Sequence, residues 1–361
     1  MQTKKNIVSP IPFAIVGVAL GLTTLGTGWT LFANQGGGFS FEANWVPKLT
    51  MTLACLFVLL GIIKMLGDPK WTWNHLLKDA IASSHFAVFP MVIISIGAFI
   101  LGYQDKSATG TYLHSGGVYY FGLIVWYLGL IIQLSHFLFW FILKCWTFKW
   151  ADVDASWYVP PVGIAAANVI PAQQLGDHYT LFLQVLWYIV FAMYIIATPI
   201  IWYRYLFIKG HDSELPSMGI LTSVHSLMLV SYFFDFNDTP QEHPSFMIIL
   251  GSFSLVMTLI IYITMFKTFR TKWFNPGLSG YSFPLAVSAV GRIIFGEYLA
   301  KLVTNPTMQN ELLTTFKYWA LIELIIATGV FIYLIAGFSY LLVTDYMNYF
   351  KNNKQATKAK A

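Results

Sequence analysis

Charge is what this chain has least of. Asp, Glu, Lys and Arg together supply 10% of its 361 residues, while apolar side chains supply 57%. A soluble globular domain carries about a quarter of its residues charged, so composition excludes one here. Cysteine is nearly absent. Cys55 lies inside an apolar run and Cys145 just beyond another, and two such thiols build no disulfide framework. Also missing are a phosphate-cradling Gly-rich loop, a His-Glu-x-x-His zinc helix, a Gly-x-Ser-x-Gly nucleophile elbow and a dinucleotide fingerprint. The chain therefore reads as a protein that is not an enzyme and needs no cofactor. With no nucleotide-binding domain, any transport it performs is passive or driven by a gradient.

What remains is a run of membrane spans. Mean hydropathy is +0.63, and ten apolar stretches are long enough to cross a hydrocarbon core of roughly 30 Å. They are residues 11–32, 51–66, 82–101, 118–141, 155–170, 181–203, 217–234, 246–266, 280–302 and 318–343. The first is too long and too Gly-rich for a cleaved leader, so it is expected to be a span. The gaps between runs are short. One integral membrane domain is expected over residues 1–350, followed by a basic tail at 351–361.

The net charge of +5 could suggest a nucleic-acid partner, but its distribution argues against one. Sixteen of the 21 Lys and Arg fall on alternate loops and tails: Lys4 and Lys5, then Lys64, Lys70 and Lys78, Lys144 and Lys149, Arg204 and Lys209, Lys267, Arg270 and Lys272, and finally Lys351, Lys354, Lys358 and Lys360. The opposite loops hold Lys48, Lys106, Lys301 and Lys317. By the positive-inside rule both termini are cytoplasmic, which requires an even number of spans and agrees with ten.

Odd and even runs differ. Pro12, Pro90, Pro160-Pro161, Pro216 and Pro284 lie in or beside the odd runs, whereas Pro199 is the main proline of the even ones. Broken helices are tolerated in lipid where the freed backbone is buried in protein or lines a cavity. The pattern predicts five tandem helical hairpins, with broken odd helices around a central pore and smooth even helices outside.

Several residues invite a role. Gly17 and Gly21 form a small-xxx-small pair, which suits either close helix packing or an open lumen. Trp157-Tyr-Val-Pro-Pro-Val-Gly163 reads either as an interfacial helix start or as a pore-lining segment. His85, His136 and His225 lack the spacing of a metal or haem site, and a structural hydrogen bond is the plainer reading of each. Arg292, Glu297 and Glu323 are charges inside spans nine and ten. Arg292 follows Phe283 by nine residues, the opposite side of a helix, which predicts an ion pair with Glu323 in place of a lumen site.

Taken together, five strings resemble the tellurite-resistance/dicarboxylate transporter family of TehA-like channels, plant slow anion channels, malate permeases and sulfite exporters. They are residues 12–22, Phe89-Pro90-Met91, residues 126–129, residues 157–167 and Tyr281-Ser-Phe-Pro-Leu285. The resemblance implies a homotrimer in the cell membrane, each protomer with its own pore occluded by a phenylalanine on the ninth helix, here Phe283. It also matches Gly17 to a first-helix glycine that must stay small. On this basis Gly17, Gly21, Pro90, Pro160, Pro161, Gly163, Pro284 and Ala286 are expected in the lining, and His225, Arg292 and Glu297 as candidate proton or anion contacts. The chain departs from the family in having Ser223-Val224-His225 where a proline is usual in span seven.

The function expected is passive flow of small inorganic or organic anions through a largely uncharged pore. The alternative is a proton-coupled carrier or exporter of malate-type dicarboxylates, sulfite or tellurite, using His225 or Glu297. An oxidoreductase holding haem on its histidines is a third reading, which a visible absorption spectrum separates from both.

Overall fold

A computed structural model describes residues 7–35, 45–77, 80–107, 110–208, 217–236, 244–271 and 274–358. Lys4, Lys5, Lys78, Lys209, Lys272, Lys360 and Pro216 lie outside the described residues. Among the described residues nine main helices and one broken segment follow in order: α1 Ile15–Asn34, α2 Val46–Gly67, α3 Val88–Leu101 and α4 Gly116–Thr147. The broken segment, α5, consists of three short turns, Ala155–Tyr158, Val159–Val162 and Gly163–Asn168. Then come α6 Thr180–Phe207, α7 Met218–Phe236, α8 Pro244–Thr271, α9 Ser282–Leu302 and α10 Pro306–Lys358. The protein is an all-α membrane protein.

Burial separates the segments into two sets. Within the crossing stretches, the buried share is 67% for that of α1, 56% for Ala82–Leu101, which contains α3, 83% for that of α7 and 83% for Pro276–Leu302, which contains α9. The figures for α2, α4, α6, α8 and α10 are 33%, 33%, 28%, 39% and 39%. Every residue from Val153 to Asn168 is buried, so α5 joins the inner set. Large apolar side chains such as Leu59, Ile124, Ile196, Ile263 and Ile332 stand exposed on the even helices. That is a wasteful arrangement in water and the favourable one against lipid.

The inner segments form a closed ring. α1 packs on α3, α3 on α5, α5 on α7, α7 on α9, and α9 returns to α1. Each even helix packs against the odd one before it, which gives the five hairpins. Between α3 and α4 the approach is close enough to need glycine. A Cβ on Gly129 would stand 2.7 Å from the Ile94 nitrogen and 3.0 Å from the Pro90 carbonyl.

Two features differ from the sequence reading. Among the described residues nine helices, not ten, are long and apolar enough to cross a membrane. The exception is α5, because Pro160 and Pro161 each remove a backbone donor and the chain shortens into 3₁₀ turns on either side. A neighbouring side chain ties this segment down: Gln133 Nε2 on α4 donates to Val159 O at 3.3 Å, beside the Gly163 N–H, and to Pro160 O at 3.1 Å. Second, Pro284 does not break its helix: it is the third residue of α9, inside the first turn, where a missing N–H costs nothing. Span three is interrupted, but three residues before Pro90, at Ala87, between a helical stretch Ala80–Phe86 and α3. At the other end, α10 runs through residue 350 without a break. Its 53 residues span about 80 Å at 1.5 Å per residue, well over twice the hydrocarbon core.

Candidate functional site

Two cavities lie along the axis of the ring. One, of about 610 Å³, is lined by the first halves of the inner segments, including Gly17, Val88, Val159, Ile220 and Ser279. The other, of about 540 Å³, is lined by their second halves, including Thr27, Ala98, Val169, Val230 and Val290. The inner segments therefore run parallel, and the cavities are called lower and upper here. Three residues line both: Leu20 of α1, Leu227 of α7 and Phe283 of α9. They mark an apolar constriction between two otherwise separate spaces.

The lining follows from helical spacing. On α1, Gly17, Leu20, Thr24, Thr27, Leu31 and Asn34 recur at steps of three and four and fall on one face. On α7 the stripe is Ile220, Ser223, Leu227, Val230 and Phe234, and on α9 it is Phe283, Val287 and Val290. The α1 threonines keep this face polar at little cost. Thr23 Oγ1 donates to Leu20 O at 2.7 Å, Thr27 Oγ1 to Thr23 O at 3.2 Å and Thr30 Oγ1 to Gly26 O at 2.9 Å.

Phe283 sits where the chain changes form. A 3₁₀ stretch, Pro276–Tyr281, gives way to α9 at Ser282. Ser282 Oγ lies 2.8 Å from Gly17 O and 2.6 Å from Ser279 O, so the junction is tied to α1. The ring itself is only half-buried, between the well-buried Ser282 and Pro284. In a chain rich in stacked aromatics, Phe283 makes no ring contact among the described residues.

The other expected lining residues divide. Gly17, Gly163 and Pro284 line the lower cavity. Gly21, Pro90, Pro160, Pro161 and Ala286 line neither; they are packed between helices. The case of Gly21 is clear: a Cβ there would lie 2.5 Å from the Phe331 ring, 2.7 Å from the Ser282 carbonyl carbon and 2.8 Å from the Phe283 nitrogen. At Gly17 the same atom would meet only the Ser279 side chain, at 3.2 Å and 3.3 Å, together with its carbonyl at 3.6 Å.

The charged and titratable residues expected here stand mostly behind the ring. Arg292 Nε donates to Glu323 Oε1 at 3.2 Å, with both side chains fully buried, and Arg292 Nη2 donates to Ser254 Oγ and Thr258 Oγ1 at 3.0 Å. That is the inter-helix pair predicted from the half-turn offset to Phe283. Glu297 accepts from Gln35 Nε2 at 2.6 Å, and Lys317 Nζ donates to Gln35 O at 3.0 Å, joining the ends of α1, α9 and α10. His225 stacks on Phe253 of α8 at 5.2 Å and meets Tyr194 of α6 edge-on at 5.5 Å. His136 bonds Ser83 O at 2.8 Å, and His85 lines the lower cavity. Arg292, Glu297 and His225 line neither cavity. Among the described residues no group of three or more His, Cys, Asp or Glu is placed to hold a metal.

Sequence reading missed Leu20, Leu227, the α1 threonines, Asp154 and Lys106. The threonine stripe was available as a helical repeat on an odd run. A leucine in an apolar helix carries no such signal.

A comparison with curated proteins gives no match. The sequence profile of the voltage-dependent anion channel family matches residues 10–339, nearly the whole chain and every inner segment. The chain belongs to the voltage-dependent anion channel family.

Proposed function

We propose that the protein passes small anions passively between the two cavities, with the Phe283 ring as the movable barrier. The observation that carries this is that Phe283 lines both cavities, in company, among the described residues, with only Leu20 and Leu227. A narrow apolar ring excludes hydrated ions by dewetting, and a lining with little charge holds an anion weakly enough to release it. Small neighbours leave the ring room to swing: Ser279, Gly280 and Gly17 line the space below it.

A proton-coupled carrier of dicarboxylates, sulfite or tellurite needs a titratable group in the path. The two groups expected for that role, His225 and Glu297, are outside it, which leaves His85 in the lower cavity as the histidine such a carrier would use. Passive flow is preferred for the sparsely charged lining, and anion flux driven uphill by a pH gradient would overturn that preference. The basic loops make the lower side cytoplasmic, with both termini there and residues 351–361 as a basic extension of the channel domain at 1–350. The family resemblance adds a homotrimer in the cell membrane, with one pore in each protomer and lipid against the even helices.

The test is Phe283→Ala in reconstituted protein. A barrier ring predicts a folded variant whose chloride and nitrate currents rise several-fold. If the ring were ordinary packing, its loss would cost about 3–5 kcal/mol of stability and lower the activity. A stable variant with unchanged or smaller currents removes the gate.

A further inference from the structure

The two cavities differ in charge. Among the Asp, Glu, Lys and Arg of the described residues, the upper cavity is lined by Lys106 alone and the lower by Asp154 alone. Lys106 is held in place: it bridges Tyr112 in a short antiparallel pairing, and its Nζ lies 4.5 Å over the Tyr112 ring. Asp154 is nearly buried in protein and caps the first turn of α5, its Oδ1 accepting from Ser156 N at 2.9 Å and from Ser156 Oγ. It makes no ion pair with a described cation. Asn or Ser caps a helix about as well as Asp does. The cap therefore accounts for the oxygen but not for the charge, and an uncompensated carboxylate facing an anion's path calls for another reason.

We propose that Asp154 and Lys106 form an electrostatic couple across the constriction that makes the anion path rectify. Resting on the channel reading above, this assigns Lys106 to concentrate anions in the upper cavity and Asp154 to thin them out in the lower one. Anion current driven from upper to lower cavity then exceeds current driven the opposite way. One unit charge roughly 5–8 Å from an ion in a hydrated cavity changes its local concentration by about two- to four-fold, so each residue contributes a factor of that size.

The experiment is whole-cell recording, in which every copy shares one orientation, in symmetrical chloride, with the Phe283→Ala background supplying open channels. Asp154→Asn keeps the cap and is expected to raise current driven from the lower side about two- to four-fold. Lys106→Gln lowers current from the upper side by a similar factor, and the double variant gives a linear current–voltage curve. Asp154→Ser serves as a second capping variant should the first express poorly. Raising salt from 0.1 to 1 M shortens the screening length from about 10 Å to about 3 Å, so the difference between variant and parent should shrink, which a purely structural role for Asp154 would not produce. A conducting protein whose current–voltage curve is unmoved by both Asp154 variants overturns this inference alone. A protein with no anion current in either background overturns the channel reading and this couple with it.

Discussion

Gly17 and Gly21 stand one turn apart on α1, yet a methyl group added at each meets different neighbours. At Gly17 it faces the lower cavity and a serine side chain; at Gly21 it runs into the backbone where α9 begins. Gly17→Asp is therefore expected to fold and to lose anion flux in liposomes, because a carboxylate in the lumen repels the ion. Gly21→Ala is expected to lose stability instead, by about 1–3 kcal/mol in a thermal unfolding assay, as over-packing does. The Arg292–Glu323 pair makes a third residue-level test. Arg292→Met strands a buried carboxylate and should cost roughly 3–5 kcal/mol, read as a lowered melting temperature, and adding Glu323→Gln should recover part of it. The pair was legible in the sequence because a nine-residue offset from Phe283 is a half-turn. The different roles of the two glycines were not, since their spacing fixes only a shared face and α9's crossing decides what that face touches. Phe283 stood out as a bulky ring beside a proline among small residues and through its resemblance to a family, whereas Leu20 and Leu227 did not stand out at all.

Among the elements, α5 depends most on its neighbours. Its short turns leave few regular backbone bonds, and one Gln133 amide on α4 donates to two of its carbonyls, Val159 O and Pro160 O. Gln133→Leu leaves Val159 O with its backbone partner Gly163 N but takes the amide donor from Pro160 O in a dry interior, and should destabilise the protein by about 1–3 kcal/mol, with α5 the first segment to gain hydrogen-exchange lability. At the residue-168 end, Asn168 Nδ2 reaches Leu183 O at 2.7 Å and Asp235 Oδ2 at 2.6 Å, so α6 and α7 hold the exit as α4 holds the middle. The inner and outer sets could be read from the prolines and glycines. Their form could not. Pro284 sits in the first turn of a helix, Pro90 follows a one-residue interruption at Ala87, and Pro160-Pro161 stand among 3₁₀ turns. The difference lies in whether a second proline follows and in what the adjacent helix offers.

At the scale of the whole molecule, parallel inner segments and the split of basic residues between the two ends predict that the loop at residue 40 and the C-terminus lie on opposite sides of the membrane. Reporter fusions at the two places check this, and finding both on one side would contradict the even number of crossings. Ring closure has a consequence for how such a protein is made. Its last joint is formed by α9 on α1, with Ser282 bonded to Gly17 across 265 residues of chain. Until the final hairpin leaves the ribosome, the threonine face of α1 is open on the side that α9 closes. Synthesis therefore passes through a stage in which four inserted hairpins hold an open, half-polar trough toward the bilayer, where a chaperone or a lipid must stand in for the missing fifth.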